Sequence, residues 1–358
     1  MEDSYFKGRG AQIKTENRFL KSQVVAQHIE GLDEPLLESP HTQLFHENPK
    51  KIINKVDSPD LGMMYSANPY QGCEHGCIYC YARNTHEYYG FSAGLDFESK
   101  IIVKQNAARL LEQQLLSKNW NAVPIMLSGN TDCYQPQERK LEITRSMLKV
   151  MVQYRHPVSI ISKNSLVLRD LDLLQDLASG NLVHVYISIT TLNENLRRVM
   201  EPRTASAIKR LQTVEALAKA GVPVGIMNAP IIPALNHYEI PQVLKAASDH
   251  GAQGAGMTIV RLNGSVGQLF EDWLGKNFPD RFDKVLNQIR SLHGGTINDS
   301  RFGRRMTGEG NLADSIHQLF RSAKKKYFKD KVCLRMILRS LGKAEISIYF
   351  RTVKTAQI

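Results

Sequence analysis

The chain has 358 residues, of which 42% are hydrophobic and 23% charged, as in globular proteins rather than disordered or fibrous ones. No stretch reaches the roughly 18 uninterrupted apolar residues of a membrane span, and the first ten residues are polar, so we expect a cytoplasmic protein without a signal peptide. The net charge of +11 favours an anionic partner such as nucleic acid, although charge alone does not require one.

Residues 1–58 show no repeated strand and helix pattern and are interpreted as an amino-terminal extension. Three of the five cysteines follow within eight residues, with the spacing Cys73-x3-Cys77-x2-Cys80. Thiols this close in sequence can converge on one metal centre. The cluster therefore indicates metal binding in a reducing compartment rather than a set of disulfides. Three thiolates suit a four-iron cluster that keeps one iron open to a small chelating ligand.

Zinc is the alternative for this loop. A structural zinc site usually has four ligands in paired Cys or His arrangements. Here the nearby histidines are His75 and His86, while Cys133 and Cys333 are remote and solitary. The spacing therefore favours the iron–sulfur cluster.

From about residue 120 to 260, short apolar runs alternate with helical patterns, which predicts repeated βα units and a parallel sheet. The predicted strands are residues 123–128, 158–163, 183–190, 222–227 and 256–260. Gly180 and Gly221 follow two of the predicted helices, where a left-handed residue commonly ends a helix.

The strand at 183–190 alternates strictly: the odd positions are Val or Ile, and the even positions are His184, Tyr186, Ser188 and Thr190. In a barrel the polar set would point into the interior and indicate a polar ligand there. The alternative is an antiparallel strand with one face in water.

Residues 296–358 form a basic carboxyl-terminal extension, after a core at 59–295. Arg301, Arg304 and Arg305 lie in a glycine-rich run that predicts either a phosphate-facing loop over the cavity or a charged surface connection. The basic segment at 321–343 is open to the same two interpretations.

The cysteine spacing, followed by βα units, resembles the radical S-adenosylmethionine superfamily. The resemblance implies a partial (β/α)6 TIM-like barrel whose first strand is residues 63–70, a 4Fe–4S cluster on the three cysteines, and S-adenosylmethionine (SAM) on its open iron. It also implies an enzyme that cleaves SAM reductively to a 5′-deoxyadenosyl radical, with a reducing partner such as flavodoxin or ferredoxin.

Tyr79 and Tyr81 flank Cys80, which makes the loop similar to that of the spore photoproduct lyase branch and its uncharacterised bacterial relatives. The resemblance assigns both tyrosines to catalysis. It also implies a set of SAM-binding residues in the cysteine loop and at the strand ends: Tyr79, Ser128, Thr131, Asp132, Lys163 and Ser188. Arg203, in the turn after the fourth strand, is implied to hold an anionic group of substrate or cofactor.

The sequence departs from that branch at the cysteine that donates hydrogen. Its position holds Asn130, and Cys133 falls beyond the matched Thr131-Asp132 pair. Cys133 is a candidate donor from the loop, or else a buried packing thiol. We therefore expect hydrogen abstraction from an unidentified substrate, with a lyase-like reaction on nucleic acid as one candidate. The alternative is a non-catalytic, metal-stabilised nucleic-acid-binding protein.

Overall fold

The computed structural model describes residues 5–19 and 41–329, so Cys333 and the end of the predicted carboxyl-terminal extension lie outside the described residues. Ten strands form a seven-stranded and a three-stranded sheet. The strands are β1 (Gln43–His46), β2 (Ile53–Lys55), β3 (Tyr65–Ala67), β4 (Tyr70–Gln71), β5 (Lys100–Val103), β6 (Ile125–Leu127), β7 (Val158–Ser162), β8 (Val183–Ser188), β9 (Val224–Ile231) and β10 (Ala255–Ile259).

The large sheet has the order β10-β9-β8-β7-β6-β3-β2. The six strands from β3 to β10 in this sheet pair in parallel, and β2 joins β3 antiparallel at the edge. No strand pairing among the described residues joins β10 to β2. The predicted α/β fold with parallel strands is thus confirmed, as an open sheet rather than a closed barrel.

The predicted first strand at 63–70 divides into two. Tyr65–Ala67 joins the large sheet, whereas Tyr70–Gln71 pairs antiparallel with β5 in the three-stranded sheet. That second sheet also contains β1, from the predicted amino-terminal extension, parallel to β5. It fixes the chain immediately before the cysteine loop.

Helices cover the sheet as the βα alternation predicts. The α-helices are α1 (Leu95–Ser99), α2 (Ala107–Leu115), α3 (Glu138–Leu141), α4 (Ile143–Gln153), α5 (Leu171–Ser179), α6 (Glu194–Met200), α7 (Ala207–Lys219), α8 (Ile240–Asp249), α9 (Ser265–Asn277), α10 (Phe282–Leu292) and α11 (Gly310–Phe328). Short 3-10 helices are Tyr81–Tyr89, Ser165–Asp170, His237–Glu239 and Pro279–Arg281. None of these described helices is long and apolar enough to cross a membrane.

Two helix ends test the glycine predictions. Gly221 has φ of 76°, the left-handed conformation expected after α7. Gly180 has φ of −100°, so the prediction there is wrong. Asn181, one residue later, takes the left-handed conformation with φ of 56°, which asparagine tolerates better than most residues do.

Strand β8 is buried on both faces. Val183, Val185 and Ile187 belong to the main hydrophobic core. On the other face His184 and Ser188 are each only 3% exposed. Because β8 pairs in parallel with both β7 and β9, the alternative of an antiparallel strand facing water is wrong. The polar face lies inside the protein.

Candidate active site

The cysteine loop follows β4 and depends on two glycines. Gly72 has φ of 80° and Gly76 has φ of 67°, a region that favours glycine. A side chain at Gly72 would also meet the backbone oxygens of Phe97 and Lys100 at 3.0 Å. The Cys73 amide donates to Phe97 O at 2.8 Å, so the loop is pinned between β4 and the end of α1.

The three cysteine side chains lie close enough for their charges to interact. Cys73 and Cys77 are buried and Cys80 is partly buried, and Cys80 packs against both apolar clusters that contain the other two. Burial raises the pKa of the Cys77 thiol to about 12, although the Lys163 ammonium acts in the opposite direction. Burial also raises the pKa of Cys73 well above its usual value, and the Asp132 charge adds to this effect.

This donor set fits an iron–sulfur cluster. A buried thiol with a raised pKa stays protonated until a metal ion binds its sulfur and displaces the proton. Among residues 5–19 and 41–329, no three His, Cys, Asp or Glu side chains converge on the position of a single ion. The fit therefore rests on three adjacent soft donors on one loop.

An ion pair lies behind the loop. Arg83, just after the third cysteine, donates to Glu98 at 2.5 Å, and both side chains are fully buried. Arg83 also donates to Cys77 O at 2.9 Å, which ties the ion pair to the loop.

The amino-terminal arm, defined here as residues 5–17, closes the same region. The Glu98 carboxylate accepts hydrogen bonds from the amides of Gly10 at 3.0 Å and Ala11 at 2.7 Å. The backbones of Gly10 and Gly76 are so close that a Cβ on Gly10 would lie 1.7 Å from Gly76 O. The arm thus packs directly on the cysteine loop.

Tyr79 belongs to a second buried network. Its hydroxyl donates to Glu201, which also accepts from Thr190 Oγ1 at 2.6 Å and from Arg210 at 2.5 Å. Burial alone would raise the pKa of Glu201, but the charges of Arg210 and Lys163 hold it at about 2. The carboxylate therefore stays ionised and fixes the Tyr79 side chain.

Lys163 follows β7, with its ammonium 5.8 Å from the centre of the Tyr79 ring. Burial acts to lower its pKa, yet Cys77 and Glu201 hold that pKa above its usual value. The ammonium is therefore a fixed positive charge between the cysteine loop and Glu201. An anionic group of a ligand bound beside Lys163 would be attracted to this ammonium.

Asp132 joins the cysteine loop to β7. Its carboxylate accepts hydrogen bonds from Ser162 Oγ at 2.8 Å, the Lys163 amide at 2.8 Å and the Tyr134 amide at 2.9 Å. It also lies 3.3 Å from His75 Nδ1. Burial raises its pKa, but the His75 ring and these donors outweigh that effect and lower it.

The remaining predicted SAM residues lie at the same end of the strands. Thr131 donates to Gly72 O at 2.8 Å, next to the first cysteine. Ser128 Oγ accepts from the Cys133 amide at 2.8 Å and so holds the loop after β6. Ser188, at the end of β8, has its carbonyl bound by Arg210 at 2.9 Å.

Three other predicted residues lie in different surroundings. Tyr81 is 52% exposed and its hydroxyl donates to Gly129 O in the loop after β6. The exposed edge at Tyr81 and Gly129 is called the mouth of the site. Cys133 is fully buried in the main core, apart from the clusters that contain the other three cysteines. Arg203 donates to Gly8 O at 3.1 Å and lies 3.5 Å from Glu74, so protein groups already engage it.

The family profile described as the radical SAM superfamily matches residues 67–247. The chain belongs to the radical SAM superfamily. An uncharacterised protein of Mycobacterium tuberculosis is 33% identical over 247 residues, covering 68% of this chain and 72% of the relative. One of Methanocaldococcus jannaschii is 29% identical over 241 residues, covering 67% of this chain and 85% of the relative.

Solved structures of spore photoproduct lyase share the fold. The lyase complexed with dinucleoside spore photoproduct has a TM-score of 0.60 at 16% identity and covers 84% of this chain and 85% of its own. A lyase variant with bound AdoMet and the same dinucleoside has a TM-score of 0.58 at 16% identity, covering 80% and 79%.

Membership in this superfamily makes the radical SAM protein an enzyme with radical chemistry and implies an iron–sulfur cluster and SAM. It decides against the zinc-site and non-catalytic alternatives. It also implies an electron donor.

Sequence reasoning missed several site residues. Glu201 and Arg210 form the ion pair behind Tyr79, and Glu98 pairs with Arg83 behind the cysteines. Glu201 lies two residues before Arg203, at the start of the turn after the fourth predicted strand. The sequence spacing does not indicate that Arg210 pairs with Glu201 or Glu98 with Arg83. These pairs form only when α7 and α1 pack against the site in the folded protein.

Proposed function

We propose that Cys73, Cys77 and Cys80 hold a 4Fe–4S cluster and that SAM binds at the adjoining strand ends. The observation that carries this proposal is the buried loop itself, whose three thiols lie close enough to interact with one another and, at Cys77, with the Lys163 ammonium. When bound, the cluster would supply one electron that breaks the SAM carbon–sulfur bond, giving methionine and a 5′-deoxyadenosyl radical that abstracts hydrogen from the substrate.

The chain's own residues would bind and orient SAM. The Lys163 ammonium offers a charge-assisted contact to the SAM carboxylate. Ser128, Thr131 and Ser188 offer hydroxyl groups at the same strand ends, and Asp132 offers a carboxylate for the ammonium group. Because Asp132 already accepts from three protein donors, its larger contribution is to hold Lys163 and His75 in place.

The two tyrosines would have different roles. Tyr79 is fixed by Glu201 and supports the Lys163 side of the site. Tyr81 is half exposed at the mouth, where a substrate can reach its phenol. We therefore assign hydrogen transfer near the substrate to Tyr81 and a positioning role to Tyr79, and we leave the core-packed Cys133 out of this chemistry.

Nucleic acid is the substrate class that we propose, in a lyase-like reaction. The net charge of +11 supports it, as do fold neighbours that were solved with a dinucleoside. Flavodoxin or ferredoxin is the proposed electron donor. Arg203 remains a candidate for an anionic group, although Glu74 and the amino-terminal arm compete for it.

Anaerobic reconstitution with iron and sulfide tests the proposal. We expect about four irons per chain and, after addition of dithionite and SAM, 5′-deoxyadenosine. Cys77→Ala should lose the cluster absorbance, whereas the matched variant Cys133→Ala should retain iron. A wild-type protein that binds one zinc and forms no 5′-deoxyadenosine would overturn the proposal.

A further inference from the structure

Arg261 lies two residues beyond the end of β10, at the strand edge that also carries the candidate active site. The following segment is fastened to the 3-10 helix after the cysteines. Asn84 donates to Asn263 O at 2.7 Å, and Ser265 Oγ donates to Glu87 at 2.7 Å. Arg261 is thus placed beside the mouth of the site, close enough to Tyr81 for their charges to interact.

The Arg261 side chain is partly buried, and its Nε lacks a partner among the described residues. No acceptor lies within hydrogen-bond distance of this buried nitrogen. A buried N–H donor normally has an acceptor, since leaving it unsatisfied is unfavourable. Asp60 is the nearby acid that acts on it electrostatically, and Asp60 is already bound to Arg305.

Two fully buried arginines show the contrast. Arg83 is paired with Glu98 and Arg210 with Glu201, each at 2.5 Å. The Arg261 side chain is less buried than these two, but its Nε is shielded from water and has no acceptor among the described residues. What it lacks is an anion.

Arg305 provides a second guanidinium beside Arg261. It is held by Asp60 and by Ser58 Oγ at 2.5 Å, and it lies 4.2 Å from the centre of the Phe302 ring. Burial lowers the pKa of Arg261, and the positive charge of Arg305 lowers it further. A bound anion would relieve that repulsion.

Exposed aromatic rings accompany both guanidinium groups. Phe302, beside Arg305, is 57% exposed, and Tyr81, near Arg261, is 52% exposed. Arginine with exposed aromatic rings is typical of surfaces that bind single-stranded nucleic acid, where rings stack on bases and guanidinium groups bind phosphates. A phosphate between two bases fits this surface better than an isolated carboxylate does.

We propose that Arg261 and Arg305 form a subsite for a backbone phosphate of a nucleic-acid substrate at the mouth of the radical site. The proposal deepens the proposed function and rests on its nucleic-acid part.

Fluorescence anisotropy with a labelled single-stranded oligonucleotide tests the subsite on the reconstituted full chain. Arg261→Gln should weaken binding about tenfold, as expected for losing one charge-assisted contact. It should also reduce the slope of log affinity against log salt by about 0.7. Arg109→Gln, an equal charge change at an exposed position of α2, is the matched control and should bind within about twofold of wild type.

Thermal unfolding separates binding from a structural role. Because no internal hydrogen bond is lost, Arg261→Gln should melt at or above the wild-type temperature. A clear decrease would show a structural role and overturn the proposal, as would equal binding by Arg261→Gln and Arg109→Gln. If Arg261→Gln weakens SAM binding but not oligonucleotide binding, the subsite belongs to the cofactor and the proposal is also wrong.

The outcome is distinguishable from that of the proposed function. Formation of 5′-deoxyadenosine without Arg261-dependent oligonucleotide binding would remove the subsite and leave the radical activity. Arg261-dependent oligonucleotide binding without formation of 5′-deoxyadenosine would support the subsite and contradict the radical activity.

Discussion

The Arg83 guanidinium and the Glu98 carboxylate meet at 2.5 Å, with both side chains fully buried directly behind the cysteine loop. Glu98 also accepts the amides of Gly10 and Ala11, so one carboxylate connects the loop to the amino-terminal arm. Removing its charge leaves Arg83 buried without an ionic partner.

Glu98→Gln should therefore lower the free energy of unfolding by about 3–5 kcal/mol. Urea unfolding of the cluster-free protein measures this change. Glu215→Gln, in the exposed pair with Lys219, is the control and should change it by less than about 1 kcal/mol. Equal effects of the two substitutions would show that the buried pair does not hold the loop.

Gly10→Ala should displace the arm from the cysteine loop, because the new Cβ would lie 1.7 Å from Gly76 O. We expect a loss of about 1–3 kcal/mol in unfolding free energy and less iron retained after gel filtration. Gly62→Ala is the matched control, since a Cβ there meets nothing within 4 Å. Full iron retention by Gly10→Ala would contradict the bracing role of the arm.

The stability of the protein should fall in mild acid because of His156. Its Nε2 accepts from Trp120 at 3.1 Å and its Nδ1 lies 3.0 Å from Pro157 O, so the neutral ring is fully bonded. Burial lowers its pKa to about 4. The unfolded chain, with a pKa near 6.5, therefore takes up the proton first, and stability is lost as pH falls below about 6.5.

Between pH 7 and pH 5 this single histidine should account for about 2 kcal/mol of lost unfolding free energy. Urea unfolding of the cluster-free protein at both pH values measures it. His156→Gln should flatten the pH dependence by that amount, while His46→Gln, on an exposed strand, should leave the dependence as in wild type. A parallel pH dependence in wild type and His156→Gln would contradict the assignment.

Lys163→Met should weaken SAM binding about tenfold or more, because the fixed ammonium facing Cys77 and Glu201 would be lost. Equilibrium dialysis of reconstituted, oxidised protein measures the affinity, and iron content shows whether the cluster remains. Lys219→Met, on the exposed face of α7, provides the control. Unchanged SAM affinity in Lys163→Met would remove Lys163 from the proposed cofactor site.

The sequence by itself determined the cysteine loop and the parallel α/β fold. Both depend on patterns that are local in the chain: a cysteine spacing within eight residues and an alternation of strand and helix periods. The alternation of apolar and polar residues along β8 is also a local pattern, and it predicted the buried polar face of that strand.

Only the tertiary structure decided which charges meet. Hydrogen bonds join Tyr79 to Glu201 across 122 positions of the chain and Gly10 to Glu98 across 88. A local sequence pattern cannot predict pairs this far apart. It likewise placed Cys133 in the core and left the Nε of Arg261 buried without an acceptor among the described residues, because burial and pairing depend on how distant elements pack together.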